Sequence, residues 1–157
     1  MDQKEIDVLV IGTEPPCPRC DLLSRLIEET AAGSSVPVRV RHCAWDAPDA
    51  LALGERLGRK VGTAKDVAKA GQITMDWDAV FALISRKKEE AGLGCRAAEA
   101  WTEELDEMLR PCQGAANSVG YLMTPILVVD GTVKHHGSVP SPAQVRAWIL
   151  DSRHTPG

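Results

Sequence analysis

Residues 6–41 read IDVLVIGTEPPCPRCDLLSRLIEETAAGSSVPVRVR. The run Ile6–Ile11 is almost wholly apolar and reads as a buried strand. Gly12–Pro16 forms a loop. A helix follows from Pro18 to Ala32, with Leu22, Leu23, Leu26 and Ile27 on one face and Gly33 as its stop. Val36–Arg41 alternates apolar and polar residues and reads as a second strand. The stretch is therefore a β-α-β unit, with parallel strands and a right-handed crossover.

Working outward, the C-terminal third has a different order. Ile126–Val129 is an apolar strand, Asp130-Gly131 is a two-residue hairpin signal, and Thr132–His136 returns antiparallel. Ser141-Pro142-Ala143-Gln144 then opens a helix, with Ser141 as cap, Pro142 in the first turn and Gln144 completing a capping box. The tail, Asp151–Gly157, is expected to fray. Between these parts, positions 43–123 read as wholly helical. The segments are Pro48–Leu57, one opened by the Thr63/Asp66 pair, Trp77–Glu90 capped by Asp76, and Cys95–Leu109 ended by Pro111. The order predicts an α/β fold: a four-stranded mixed sheet flanked by helices, with a helical insertion between the second and third core strands. The core is expected over 1–42 and 113–157 and the insertion over 43–112.

A chain of 157 residues suits one domain carrying an insertion. A net charge of −4 gives no electrostatic reason to bind nucleic acid or an anionic membrane. No apolar run is long enough for a membrane span, and the acidic N-terminal residues do not read as a signal peptide. The expected location is the cytoplasm, where structural disulfides are rare. Five cysteines, an odd number, also argue against a closed disulfide framework.

Chemistry concentrates at Cys17 and Cys20. Cys17 sits where the cap of the helix is expected, between Pro16 and Pro18. Free backbone N–H groups and the positive end of the helix dipole face its sulfur, and Arg19 adds a cation; all favour thiolate. Cys20, one turn along, is within disulfide reach and is expected to be buried and more thiol-like. That asymmetry suits thiol–disulfide exchange. The same spacing also occurs in zinc sites, for which His42 and Cys43 at the end of the second strand are the nearest further ligands. Cys43 has a third reading as an accessory redox thiol, beside the plainer one of a core residue. His135 and His136 are explained by a polar edge strand, and the four tryptophans by apolar helical faces.

Two separated motifs, strand–PPCPRC–helix and VGYLMTPILVVDG followed by GSVPSPAQVRAWI, resemble the thioredoxin-like superfamily, and within it the small redox-active disulfide proteins of the thioredoxin/glutaredoxin kind. The resemblance implies a cis peptide at Thr124-Pro125, packed against the cysteine pair. It also implies a substrate platform of Pro16, Thr124 and Pro125, with the Thr124 backbone free to pair with an extended substrate. Three features depart from thioredoxin itself. The dipeptide between the cysteines is Pro-Arg, no Trp precedes Cys17, and Ile11 stands where a proton-transferring Asp is expected.

The resulting expectation is a thiol–disulfide oxidoreductase with Cys17 as nucleophile and Cys20 as resolving thiol. Pro18 and Arg19 tune the pair, Arg19 toward an oxidising potential. No cofactor and no metal are called for. The expected partners are a protein or small-molecule disulfide or dithiol and a reductase or other dithiol donor. The insertion would act as a lid or substrate wall. Metal–thiolate binding, or a partner-binding module switched by the same cysteines, are the alternatives.

Overall fold

The computed structural model describes residues 5–150, so the tail expected to fray lies outside the described residues. In chain order the elements are β1 (Ile6–Gly12), α1 (Pro18–Ala32), β2 (Val38–Ala44), α2 (Pro48–Leu57), β3 (Lys60–Gly62), α3 (Ala64–Gly71) and α4 (Trp77–Ala91). After a 3-10 turn at Ala97–Ala100 come α5 (Glu103–Ala116), β4 (Tyr121–Met123), β5 (Ile126–Val129), β6 (Thr132–His136) and α6 (Pro142–Leu150).

The main sheet has four strands in the order β2-β1-β5-β6. β1 pairs parallel with β2 and antiparallel with β5, and β5 turns antiparallel into β6. The turn is made by Asp130 and Gly131, both at positive φ (48° and 82°). The sheet is mixed and carries helices on both faces, and its connectivity is that of a thioredoxin-like α/β fold.

The pleat sends alternate β1 residues to opposite sides. Ile6, Val8 and Val10 pack with Leu23 and Ile27 of α1 and Val145 and Ile149 of α6. Leu9 and Ile11 pack on the other side with Ala50 and Leu53 of α2, Val61 of β3 and Leu122 of β4. A further core joins α3, α4 and α5 through Val67, Val80, Leu83, Leu105 and Leu109.

The middle of the chain departs from the expectation of an all-helical segment. Lys60–Gly62 and Tyr121–Met123 form a parallel two-stranded sheet. Strands of three residues are too short to show a period-2 pattern, so they escape a reading by periodicity. The helix expected over Cys95–Leu109 is also different. Its first part is the 3-10 turn, the chain straightens at Trp101, and Thr102 caps a new helix through its side chain. Pro111 does not end that helix but lies inside it. Pro111 is exposed, so the carbonyl left without an amide partner faces water. Buried Leu105, Leu109, Cys112 and Ala116 hold the other face in place. α5 therefore runs across position 112, the boundary expected between insertion and core.

Gly12 couples this fold to the cysteine pair. A Cβ there would stand 2.9 Å from both Cβ and Sγ of Cys20. Gly12→Ala is expected to push α1 off β1 and cost about 1–3 kcal/mol, the usual range for overpacking. Denaturant unfolding of the reduced protein measures it.

Candidate active site

The loop between β1 and α1 places two sulfurs at the start of a helix. Cys17 is the N-cap of α1, with extended backbone (φ −72°, ψ 168°), and Pro18 fills the first turn, where no N–H is needed. The Cys20 N–H donates to Cys17 Sγ at 3.4 Å. The Cys17 N–H is met by Thr13 Oγ1 at 2.9 Å, and the Thr13 hydroxyl donates to the Pro15 carbonyl at 3.0 Å. Thr13 thereby braces the loop. Its role is invisible to motif reading, because the hydroxyl acts on a backbone group four residues ahead of it. The peptides Glu14–Pro15 and Thr124–Pro125 are both cis.

The two sulfurs lie 3.1 Å apart as free thiols, Cys17 half-buried and Cys20 buried. The S–H of Cys20 donates to Cys17 and is the main cause of a Cys17 pKa lowered to about 6. Burial opposes that shift, while the Cys20 N–H, the Arg19 charge and the Arg19 N–H add to it. The Cys20 pKa is raised, first because it is the donor in that bond and then by burial. The arrangement is one thiolate and one thiol sharing a proton, with the thiolate on the outside.

Arg19 lowers the Cys17 pKa through its charge and its backbone N–H, and its side chain is also tied into the fold. Its side chain is 5% exposed, and Nε donates to Asp106 Oδ1 at 2.7 Å. Nη1 donates to the Thr124 carbonyl at 3.4 Å, and Nη2 to the Gly137 carbonyl. Asp106 also accepts the Val139 N–H at 3.1 Å. The Arg19 charge is thus paired with Asp106, and it lowers the Cys17 pKa less than the hydrogen bonds from Cys20 do. No sequence signal links Arg19 to an aspartate 87 positions away.

Thr124 and Pro125 are buried, Thr124 with 3% of its surface exposed. The Thr124 N–H donates to the Gly62 carbonyl at 3.0 Å, and its carbonyl faces Arg19. The backbone expected to be free for a substrate strand is already paired within the chain, because β3 lies alongside it. Pro16 is exposed beside Cys17.

Cys43 packs with Leu9 and Ile11 on the α2 side of the sheet, whereas Gly12 packs against Cys20 on the α1 side; Cys43 also borders the cavity that reaches Cys20. Burial raises its pKa, as expected of a thiol that is not a nucleophile. The metal–thiolate alternative has little to stand on: among the described residues no group of three or more His, Cys, Asp and Glu side chains is placed to hold an ion. His136 accepts the Met123 N–H through Nδ1, and His135 pairs with Ser138 and stacks on Trp148 at 5.5 Å, so both are held in structural contacts.

With that geometry in hand, the comparisons take their place. A family model described as a thioredoxin domain matches residues 99–150, which run from the end of the 3-10 turn through Pro125 to the end of α6. The match includes Thr124 and Pro125 and leaves out the cysteine pair. Neither a curated protein nor a solved structure matches the chain. The matched segment and the sheet order are both similar to those of thioredoxin-like domains. A redox or thiol–disulfide role in general accords with that similarity. Among the described residues no helix is long and apolar enough to cross a membrane.

Asp106→Asn leaves the buried guanidinium without its counter-charge and is expected to cost about 3–5 kcal/mol. The double variant Arg19→Met/Asp106→Leu should lose clearly less, and denaturant titration of both decides it. A second outcome concerns pH. The Cys17 thiol titrates at about 6 in the folded state against an ordinary 9.0. A lowered pKa gives stability that is complete above the unfolded value and lost as pH falls through the folded one. The reduced protein should therefore gain stability relative to Cys17→Ser between about pH 6 and pH 9. Alkylation of Cys17, followed by mass, should lose rate below the same lower limit.

Proposed function

We propose that the protein is a thiol–disulfide oxidoreductase working through Cys17 and Cys20. The observation that carries this reading is the capping Cys17 sulfur, half open to solvent, with a buried second sulfur 3.1 Å behind it. The Cys17 thiolate attacks one sulfur of a disulfide and expels the other as a thiolate. Cys20 then loses its proton, attacks Cys17 Sγ, releases the second thiol and closes the Cys17–Cys20 bond. Two electrons and two protons leave the dithiol, and the substrate disulfide becomes two thiols. The reverse flow oxidises a dithiol client. Every step uses sulfur alone, so no organic cofactor enters. In the cytoplasm, the location proposed here, a reductase or a dithiol donor would return the pair to the reduced state.

The neutral probe hydroxyethyl disulfide tests the reading. Incubated with it, the reduced wild-type protein should lose two hydrogens by intact mass. Cys20→Ser should stop as a mixed disulfide on Cys17, and Cys17→Ser should give neither product. Oxidation of Cys17→Ser at the wild-type rate would remove Cys17 from the reaction.

A further inference from the structure

We propose that the substrates of this pair are low-molecular-weight disulfides bearing amines, taken up in a cavity beside the Cys17 loop, and not extended polypeptide strands. The proposal rests on the redox reading of Cys17 and Cys20 and narrows it to a substrate class.

The first argument is the closed edge. A polypeptide adding as a strand needs free backbone groups to pair with. At Thr124 the N–H is bonded to Gly62 and the carbonyl to Arg19. β3 is also hard to move aside. The Lys60 N–H donates to the Gly120 carbonyl at 2.8 Å, and Val61 is buried against the sheet. Immediately after it, Thr63 and Asp66 form a reciprocal capping box. Gly62 itself is packed so closely that a Cβ would meet Asp66 Oδ2 at 2.8 Å and Tyr121 Cε1 at 2.9 Å.

The second argument is the open side. A cavity of about 530 Å³ runs along Thr13–Pro16, the loop that carries Cys17, and touches Cys20. Such a volume lies within the ordinary range for small-molecule sites, roughly 300–1,000 Å³. Cys17 is not itself in the lining, but its sulfur is 3.1 Å from that of Cys20, which is, so the cavity ends beside the nucleophile. The third argument is charge. Glu14, Asp21 and Glu28 line the cavity against one guanidinium, Arg96. Arg96 is itself bound to Asp21 at 2.8 Å and to Glu28 at 3.3 Å, leaving an excess of negative charge. A cleft of one sign concentrates ligands of the other and repels its own.

The reaction in the cavity keeps the balance given above. Cys17 takes one sulfur of R–S–S–R, Cys20 displaces it, and two R–SH leave for one protein disulfide.

Four probes test the class: cystamine, hydroxyethyl disulfide, glutathione disulfide and insulin. Each rate of oxidising the reduced protein is divided by the rate of the same probe with free dithiothreitol, which removes differences in leaving group. Cystamine should exceed glutathione disulfide by about tenfold or more at low salt, and insulin should be slowest. The margin should narrow with added salt and in Glu14→Gln. A normalised rate for glutathione disulfide or insulin equal to that of cystamine overturns the substrate class, while the redox reading stands. Failure of every probe, the neutral one included, to oxidise Cys17 overturns both.

Discussion

The site depends on the buried guanidinium of Arg19, a residue of the Cys17–Cys20 turn. Arg19 lies in the first turn of α1, where the helix dipole is positive and a cation is badly placed. Asp106 from α5 supplies the opposing charge, and the carbonyls of Thr124 and Gly137 take further N–H groups. Four pieces of chain thus meet at one side chain: the cysteine helix, the last long helix, the residue before the cis proline and the turn after β6. A buried ion pair adds little net stability, since desolvation offsets attraction. It does fix geometry, because moving any one partner strands a charge. Arg19 therefore acts as a clamp that sets where the sulfurs stand relative to the strand loop.

This clamp changes how the sulfur chemistry divides. The Arg19 charge is shared with Asp106, and the acidity of Cys17 rests chiefly on the S–H of Cys20. The nucleophile is acidic because the resolving thiol holds its proton, and that proton must leave in the next step. Ile11, fully buried on the α2 side of the sheet, stands where the thioredoxin resemblance would put a proton-taking aspartate. Relief comes from the first step itself. Once Cys17 is in a mixed disulfide, Cys20 no longer faces an anion, and two of the causes that raise its pKa disappear. The second thiol becomes easier to ionise only after substrate is bound covalently, so resolution follows capture.

Much of the fold is legible because its signals are local. The β-α-β unit shows in the change from an apolar run to a helical stripe, the hairpin in Asp130-Gly131, and the α3 start in the Thr63/Asp66 box, which the structure forms with both reciprocal bonds. Cys17 reads as a cap because proline follows it and a helix begins. What stays hidden is set by distance or brevity. β3 and β4 pair across some sixty positions and have three residues each, which leaves no pattern to read. Arg19 and Asp106 are likewise brought together only by the tertiary fold. Pro111 misleads because the local rule against proline within a helix yields to the buried face of α5. Cys43 is a matter of parity: on β2 it pairs with Ile11, so it packs toward the α2 face rather than against the cysteine helix.

The middle of the chain, then, alters the redox site by completing a sheet edge. Val61 and Leu122 sit in the same apolar cluster as Leu9, Ile11 and Ile126, so β3 is continuous with the core beneath the active loop. Freeing Thr124 for an incoming strand would expose Val61, at about 1.5–3 kcal/mol for a fully buried aliphatic side chain. It would also break the backbone bonds to Gly120 and Thr124, each worth about 0.5–1.5 kcal/mol net. An extended peptide could return the second bond but not the apolar burial, unless it carried a matching side chain at that one position. Reaching Cys17, half-buried at the N-cap of α1, bears no such cost. Selectivity between a strand and a small molecule follows from where the core ends.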